Sequence, residues 1–179
     1  PEAYALALCS LQEAGLQVVD HGTKLPKRVD SYAKTAPLVV HAFNMALSGT
    51  SSTAETREIL RFYPNSSINS AFVRHKPEML WLEGEAPECV DIDVPCCQLS
   101  EALAACVPET AQLFLKVDVE GAELEVLAGL TQGDWNRVSG FAVETIGEAQ
   151  VQAVESLCAR SGFHGVASAR QPPGYCGTR

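Results

Sequence analysis

Residues 113–130 read LFLKVDVEGAELEVLAGL, and this run constrains the fold more than any other part of the chain. Its first third, residues 113–119, is apolar and β-branched, which predicts a buried strand. Across residues 122–130 the period changes. Leu124, Leu127 and Leu130 recur at helical spacing, so a helix is expected there. Asp118 and Glu120 sit at the switch, with the helix expected to begin near Gly121. A strand that passes almost directly into a helix is the building unit of α/β proteins.

The flanking sequence repeats that unit. Residues 99–106 predict a short helix closed by Pro108, residues 140–146 a buried strand, and residues 149–160 a helix with Gly162 just past its end. Residues 163–167 read as one more strand. Alternation of this kind predicts parallel strands joined by crossover helices in an open α/β sheet. Upstream, residues 1–15 read as a helix carrying Tyr4, Leu8 and Leu11 and stopped by Gly15, and residues 37–44 as a strand. Residues 58–63 suggest a short strand, and residues 90–94 a half-exposed one, since Val90, Ile92 and Val94 alternate with Asp91 and Asp93. Residues 20–37, 48–56 and 64–70 read as loops, 74–89 as irregular, and 171–179 as a frayed tail.

A length of 179 residues suits a single domain with a real core. No apolar run approaches the roughly 20 residues that span a bilayer. A net charge of −9 disfavours nucleic acid and anionic membranes as partners. Lys24, Lys27 and Arg28 read as a solvated loop. The seven cysteines have no regular spacing, so a disulfide framework is not expected and a reducing compartment is the simpler setting. Cys9, Cys106 and Cys158 lie among helical apolar residues and read as small hydrophobes. Cys89, Cys96 and Cys97 lack a CxxC pair or a histidine partner. His21, His41, His75 and His164 are dispersed, without metal-ligand spacing. No metal site is expected.

In an open α/β sheet, ligands bind beyond the carboxyl ends of the strands. Those ends are residues 44–48, 118–121 and 144–147. Asp118 and Glu120 either cap the following helix or serve a ligand. Lys116 shares a face with Asp118, and in so apolar a strand it should be paired or reach an edge. Glu144 would stand near Asp118 if their strands are neighbours. The two carboxylates then hold a ribose, a metal or an amine, or are simply solvated. Asn44 and Ser48 are weaker candidates, because polar residues commonly end strands. Glycine-rich phosphate loops and hydrolase motifs are absent from the sequence.

The block 116–129, KVDVEGAELEVLAG, resembles the signature of the FkbM-type methyltransferases, K-(I/V)-D-(V/T)-E-G-x-E-x-x-V-L-x-G. Residues 94–104 resemble the strand and helix before that signature, and 141–145 the glutamate-ended strand after it. Residues 149–163 resemble the closing helix and its G-F turn, and residues 44–48 are similar to an N-x-A-L-S strand end. Residues 62–71 resemble the variable segment that follows, and residues 1–15 the helix after the second strand. Residues 17–37 and 72–89 match poorly. The resemblance implies a seven-stranded Rossmann-like sheet and transfer of a methyl group from S-adenosylmethionine to a hydroxyl of a sugar or other small molecule. It places Asp118, Glu120 and Glu144 at the reaction and Asn44, Ala46 and Ser48 beside the cofactor.

The family's first strand, its glycine-rich donor loop and the acidic end of its second strand would all precede Pro1. Pro1 with Glu2 behind it is a good helix start, so the chain opens at the edge of an element. Two expectations follow. Either these parts belong to a longer polypeptide, or the domain has become a non-catalytic, methyltransferase-like subunit of a larger assembly.

Overall fold

The computed structural model describes residues 2–26, 39–49, 56–64, 71–72, 88–145 and 147–163. In chain order the elements are α1 (Glu2–Glu13), β1 (Gln17–Asp20), β2 (Val39–Ala42), β3 (Ala46–Leu47), β4 (Arg57–Phe62) and β5 (Ala71–Phe72). Then come β6 (Val90–Cys97), α2 (Leu99–Cys106), β7 (Leu113–Val117), α3 (Glu123–Ala128), α4 (Gln132–Trp135), β8 (Val138–Val143) and α5 (Glu148–Arg160). The loop at 65–70, nearly all of the irregular stretch at 74–89, the strand expected over 163–167 except Phe163, and the tail lie outside the described residues.

The class is mixed α/β, but the expected single open sheet is observed as three smaller ones. β1 pairs with β2 and β7 with β8, both in parallel. A four-stranded mixed sheet has the order β3-β6-β4-β5, with β3 parallel to β6 and the other two contacts antiparallel. Among the described residues no ladder joins these sheets. The half-exposed character expected around residues 90–94 is observed. Asp91 pairs across the strands with Arg61 at 2.8 Å, and Asp93 with Arg57 at 2.7 Å. Facing cross-strand charges help set the antiparallel register.

β7 corrects one expectation. Leu113, Leu115 and Val117 are buried while Phe114 and Lys116 are exposed, so the strand is buried on one face only. Phe114 is 69% exposed and lies over its partner Gly140, where an added Cβ would meet the ring at 3.1 Å. The inner face packs on Val126 and Leu127 of α3, Val154 and Cys158 of α5, and Leu103 of α2. Leu130, Trp135 and Val138 complete this core, and Phe163 closes it edge-on against Trp135 and Phe141. Burying one aliphatic side chain of this kind stabilises by about 1.5–3 kcal/mol.

Several helix boundaries follow from local chemistry. Gly15 and Gly162 adopt φ of 78° and 95° just past α1 and α5, the left-handed conformation that ends a helix at little cost for glycine. At α2, Gln98 and Glu101 form a reciprocal capping box. α4 was not anticipated. Thr131 and Asp134 cap it reciprocally, and Asp134 also binds Arg137 at 2.9 Å. β1 was not anticipated either, since a four-residue strand carries too little pattern to be seen. Cys106 and Cys158 are buried as expected, whereas Cys9 is exposed. No helix among the described residues is long and apolar enough to cross a membrane.

Candidate active site

At the end of β7 the chain makes a short, unusual turn before α3. Glu120 adopts φ 53° and Gly121 φ 110°, so α3 starts at Glu123 rather than near Gly121. Left-handed backbone at a non-glycine residue persists only when its surroundings hold it. Here the holder is Glu123, whose side chain is almost completely buried. Its carboxylate accepts the amide of Gly121 at 3.0 Å and that of Val119 at 3.3 Å. It also accepts a hydrogen bond from the Gln150 side chain of α5. A buried carboxylate is tolerable only when donors surround it in this way. Capping of α3 by Asp118 or Glu120 is not observed: the position before the helix is Ala122, which makes no side-chain cap.

Asp118 is thus left free of a structural duty inside the fold. Its carboxylate points to solvent and takes the Lys116 ammonium at 2.7 Å, with both side chains largely exposed. The Lys116 partner expected from the sequence is therefore present. β8 is the direct neighbour of β7, and the Glu144 amide donates to the Val117 carbonyl at 3.0 Å, one residue beyond the strand. Hence Asp118 and Glu144, both exposed, leave adjacent parallel strands at the same end, with half-buried Glu120 following in the turn. The expected adjacency of the two strands that carry Asp118 and Glu144 is observed.

Residues 41–48 alternate. His41, Phe43, Met45 and Leu47 line a cavity of about 400 Å³ together with Leu99, Leu103 and Cys106. The other parity carries the remaining candidates. Ala46 packs with Cys96, Phe72 and Ala122, which directly follows the acidic turn. Ser48 is 1% exposed and donates its amide to the Cys97 carbonyl at 2.9 Å. Asn44 is exposed, and its amide bonds the Gly22 carbonyl at 2.6 Å.

This segment abuts α3 closely. A Cβ on Gly49 would lie 3.1 Å from the Glu125 carbonyl oxygen. A Cβ on Gly129, the last glycine of the signature, would lie 3.2–3.3 Å from backbone atoms of Val126, Leu99 and Ser48. The two strand ends singled out in the sequence are therefore packed against one another through α3.

Three further residues converge that sequence spacing did not suggest. His21 Nε2 lies 2.9 Å from His41 Nδ1 and 3.9 Å from Cys106 Sγ. The His21 ring stacks on Phe43 at a centroid distance of 4.7 Å and lies nearly coplanar with His41, centroids 5.2 Å apart. Burial, with a contribution from His21, lowers the pKa of His41, and burial raises that of Cys106. Separations of 20 and 85 residues leave no local motif to read.

Compared with known proteins, the chain is similar to a methyltransferase, sdnD of Sordaria araneosa. The two are 35% identical over 148 residues, 68% of this chain and 57% of that protein. The chain thus spans little more than half the length of this relative. No family model matches, and no solved structure does.

Proposed function

We propose that this chain is part of an S-adenosylmethionine-dependent O-methyltransferase of FkbM type, acting on a hydroxyl of a sugar or other small molecule. The observation that carries the reading is the acidic turn. Asp118 and Glu144 leave neighbouring parallel strands together, while Glu123 does the structural work that would otherwise occupy a carboxylate. The similarity to a methyltransferase supports the same reading.

The donor set suits the cofactor. S-adenosylmethionine carries a sulfonium and an ammonium, and supplies an electrophilic methyl group when bound. Asp118, Glu120 and Glu144 offer negative charge to such a cation, and exposed Asn44 offers an amide to a polar edge such as adenine. Ala46 and the backbone around Ser48 would form the floor beside it. On this reading the Rossmann-like sheet of the whole domain is completed by strands outside this sequence.

Asp118 orients the acceptor hydroxyl by accepting its hydrogen bond, and takes its proton as the oxygen attacks. Lys116, 2.7 Å away, pairs with the Asp118 carboxylate and orients it. Glu144 holds a second hydroxyl of the acceptor, and such positioning provides much of the acceleration. Isothermal titration of the full-length protein with S-adenosylmethionine tests the reading. One site per chain with accompanying thermal protection is expected. Absence of both heat and protection would overturn it and favour a non-catalytic subunit.

A further inference from the structure

We propose that His21 Nε2, His41 Nδ1 and Cys106 Sγ form a binding site for a divalent cation of the zinc class, open on its fourth side to the cavity beneath residues 41–47. All three ligand atoms lie within 4.8 Å of one another, and they come from three separate elements. His21 directly follows β1, His41 lies in β2, and Cys106 ends α2. Zinc bound tetrahedrally by imidazole and thiolate holds its nitrogens about 3.3 Å apart and nitrogen from sulfur about 3.6 Å apart. The observed nitrogen–nitrogen separation of 2.9 Å is shorter than this, and the nitrogen–sulfur separation of 3.9 Å longer, so the imidazoles must turn out of their mutual hydrogen bond to face one ion.

The ligands are held in advance of any ion. The His21 amide donates to the Ala42 carbonyl at 2.9 Å and fixes the backbone. Its ring stacks on Phe43 and meets the His41 ring edge to edge, nearly coplanar. Cys106 is 5% exposed and packed at the helix end. Without a metal, the two imidazoles share one proton across their short contact. With a metal, that proton moves to a distal ring nitrogen, and both facing nitrogens become ligands. The Cys106 thiol must lose its proton to ligate, so each ion bound releases one proton to solvent.

Three protein ligands are the number found in zinc sites that keep an open position. The cavity lined by His41 and Cys106 supplies room for that position, and apart from the Cys97 thiol its other walls are apolar. A water or a small anionic or thiol ligand would take the fourth place. The three ligand atoms include none of the acidic-turn carboxylates, so metal binding is measured independently of methyl transfer.

Cobalt(II) titration of the reduced, full-length protein is the test. One equivalent is expected to give a thiolate-to-cobalt charge-transfer band and the visible bands of tetrahedral coordination, both abolished by zinc(II). Proton release measured in parallel should approach one per ion. His21→Ala and Cys106→Ala should each weaken binding by about 100-fold or more, whereas Cys9→Ser, on an exposed residue, should bind as the parent does. Far-ultraviolet circular dichroism checks that each variant is folded. A charge-transfer band that survives in folded Cys106→Ala would overturn the proposal by moving the metal to other cysteines. Absence of any band from the parent protein would overturn it outright. Neither result bears on S-adenosylmethionine binding, which is titrated separately.

Discussion

Four carboxylates within a short stretch of chain divide into two kinds. Glu123 is sealed inside and accepts amides, whereas Asp118 faces water and holds only an exposed lysine. Exposed ion pairs contribute little to stability. Asp118→Asn should therefore leave the melting temperature unchanged while lowering methyl transfer by roughly 100-fold or more, as loss of a general base does. Glu123→Gln should do the reverse, costing about 1–3 kcal/mol in urea unfolding, because it replaces one of the two acceptor oxygens that the donors of Val119, Gly121 and Gln150 share with an amide donor. Burial raises the pKa of Asp134, but the Thr131 hydroxyl and amide and the Arg137 guanidinium outweigh it and hold the carboxyl below its usual range. A depressed native value contributes stability that is complete above the unfolded carboxyl pKa, near 4, and is lost as pH falls through the native one. Asp134→Asn should accordingly lower stability at neutral pH and flatten the acid limb of a stability–pH curve measured by urea titration. Of the six candidate residues read from the sequence, Asp118 and Glu144 are brought together because period-two strands ending at one edge made them neighbours on paper too. Glu123 stood in the same signature but was not singled out, since nothing in a linear sequence distinguishes a carboxylate that turns inward from one that turns out.

At the scale of elements, what was legible tracked the length of the pattern. α2, α5, β6 and the β7–α3 passage carry apolar residues at a sustained period, and all are present. β1 and α4 have four residues each and offered no period. For α4, the reciprocal Thr131–Asp134 cap was the readable signal. The late start of α3 was hidden because Glu120 in a left-handed turn depends on Glu123 and Gln150, partners set by packing. α3 is also where packing is tightest. Leu127 is fully buried, and its replacement by alanine should cost about 2–5 kcal/mol. Gly129→Ala would bring a methyl within 3.2–3.3 Å of three backbone atoms, which would have to give by a few tenths of an ångström. A cost of about 1–3 kcal/mol is expected, read as a lower midpoint in chemical denaturation.

For the whole molecule, charge and topology set different limits. A net charge of −9 and a pI near 4.9 keep copies apart at neutral pH. Light scattering should show a solubility minimum near pH 5, relieved on either side. Topology was less legible than composition, because the separation of the parallel pairs from the mixed sheet depends on which strands meet, and a single sequence holds no record of that. The histidine–cysteine convergence is the extreme case, for it exists only once β1, β2 and α2 are in place. The Gly129 junction, where Ser48, Leu99 and the end of α3 meet with little room for a methyl, has an evolutionary consequence. A lineage held to stability alone would still be selected to keep Gly129 and Glu123, since replacing either one destabilises the domain, while exposed Asp118 would be free to drift. The glycine and the inner glutamate therefore answer to the fold, and the aspartate answers only to whatever the proposed site demands.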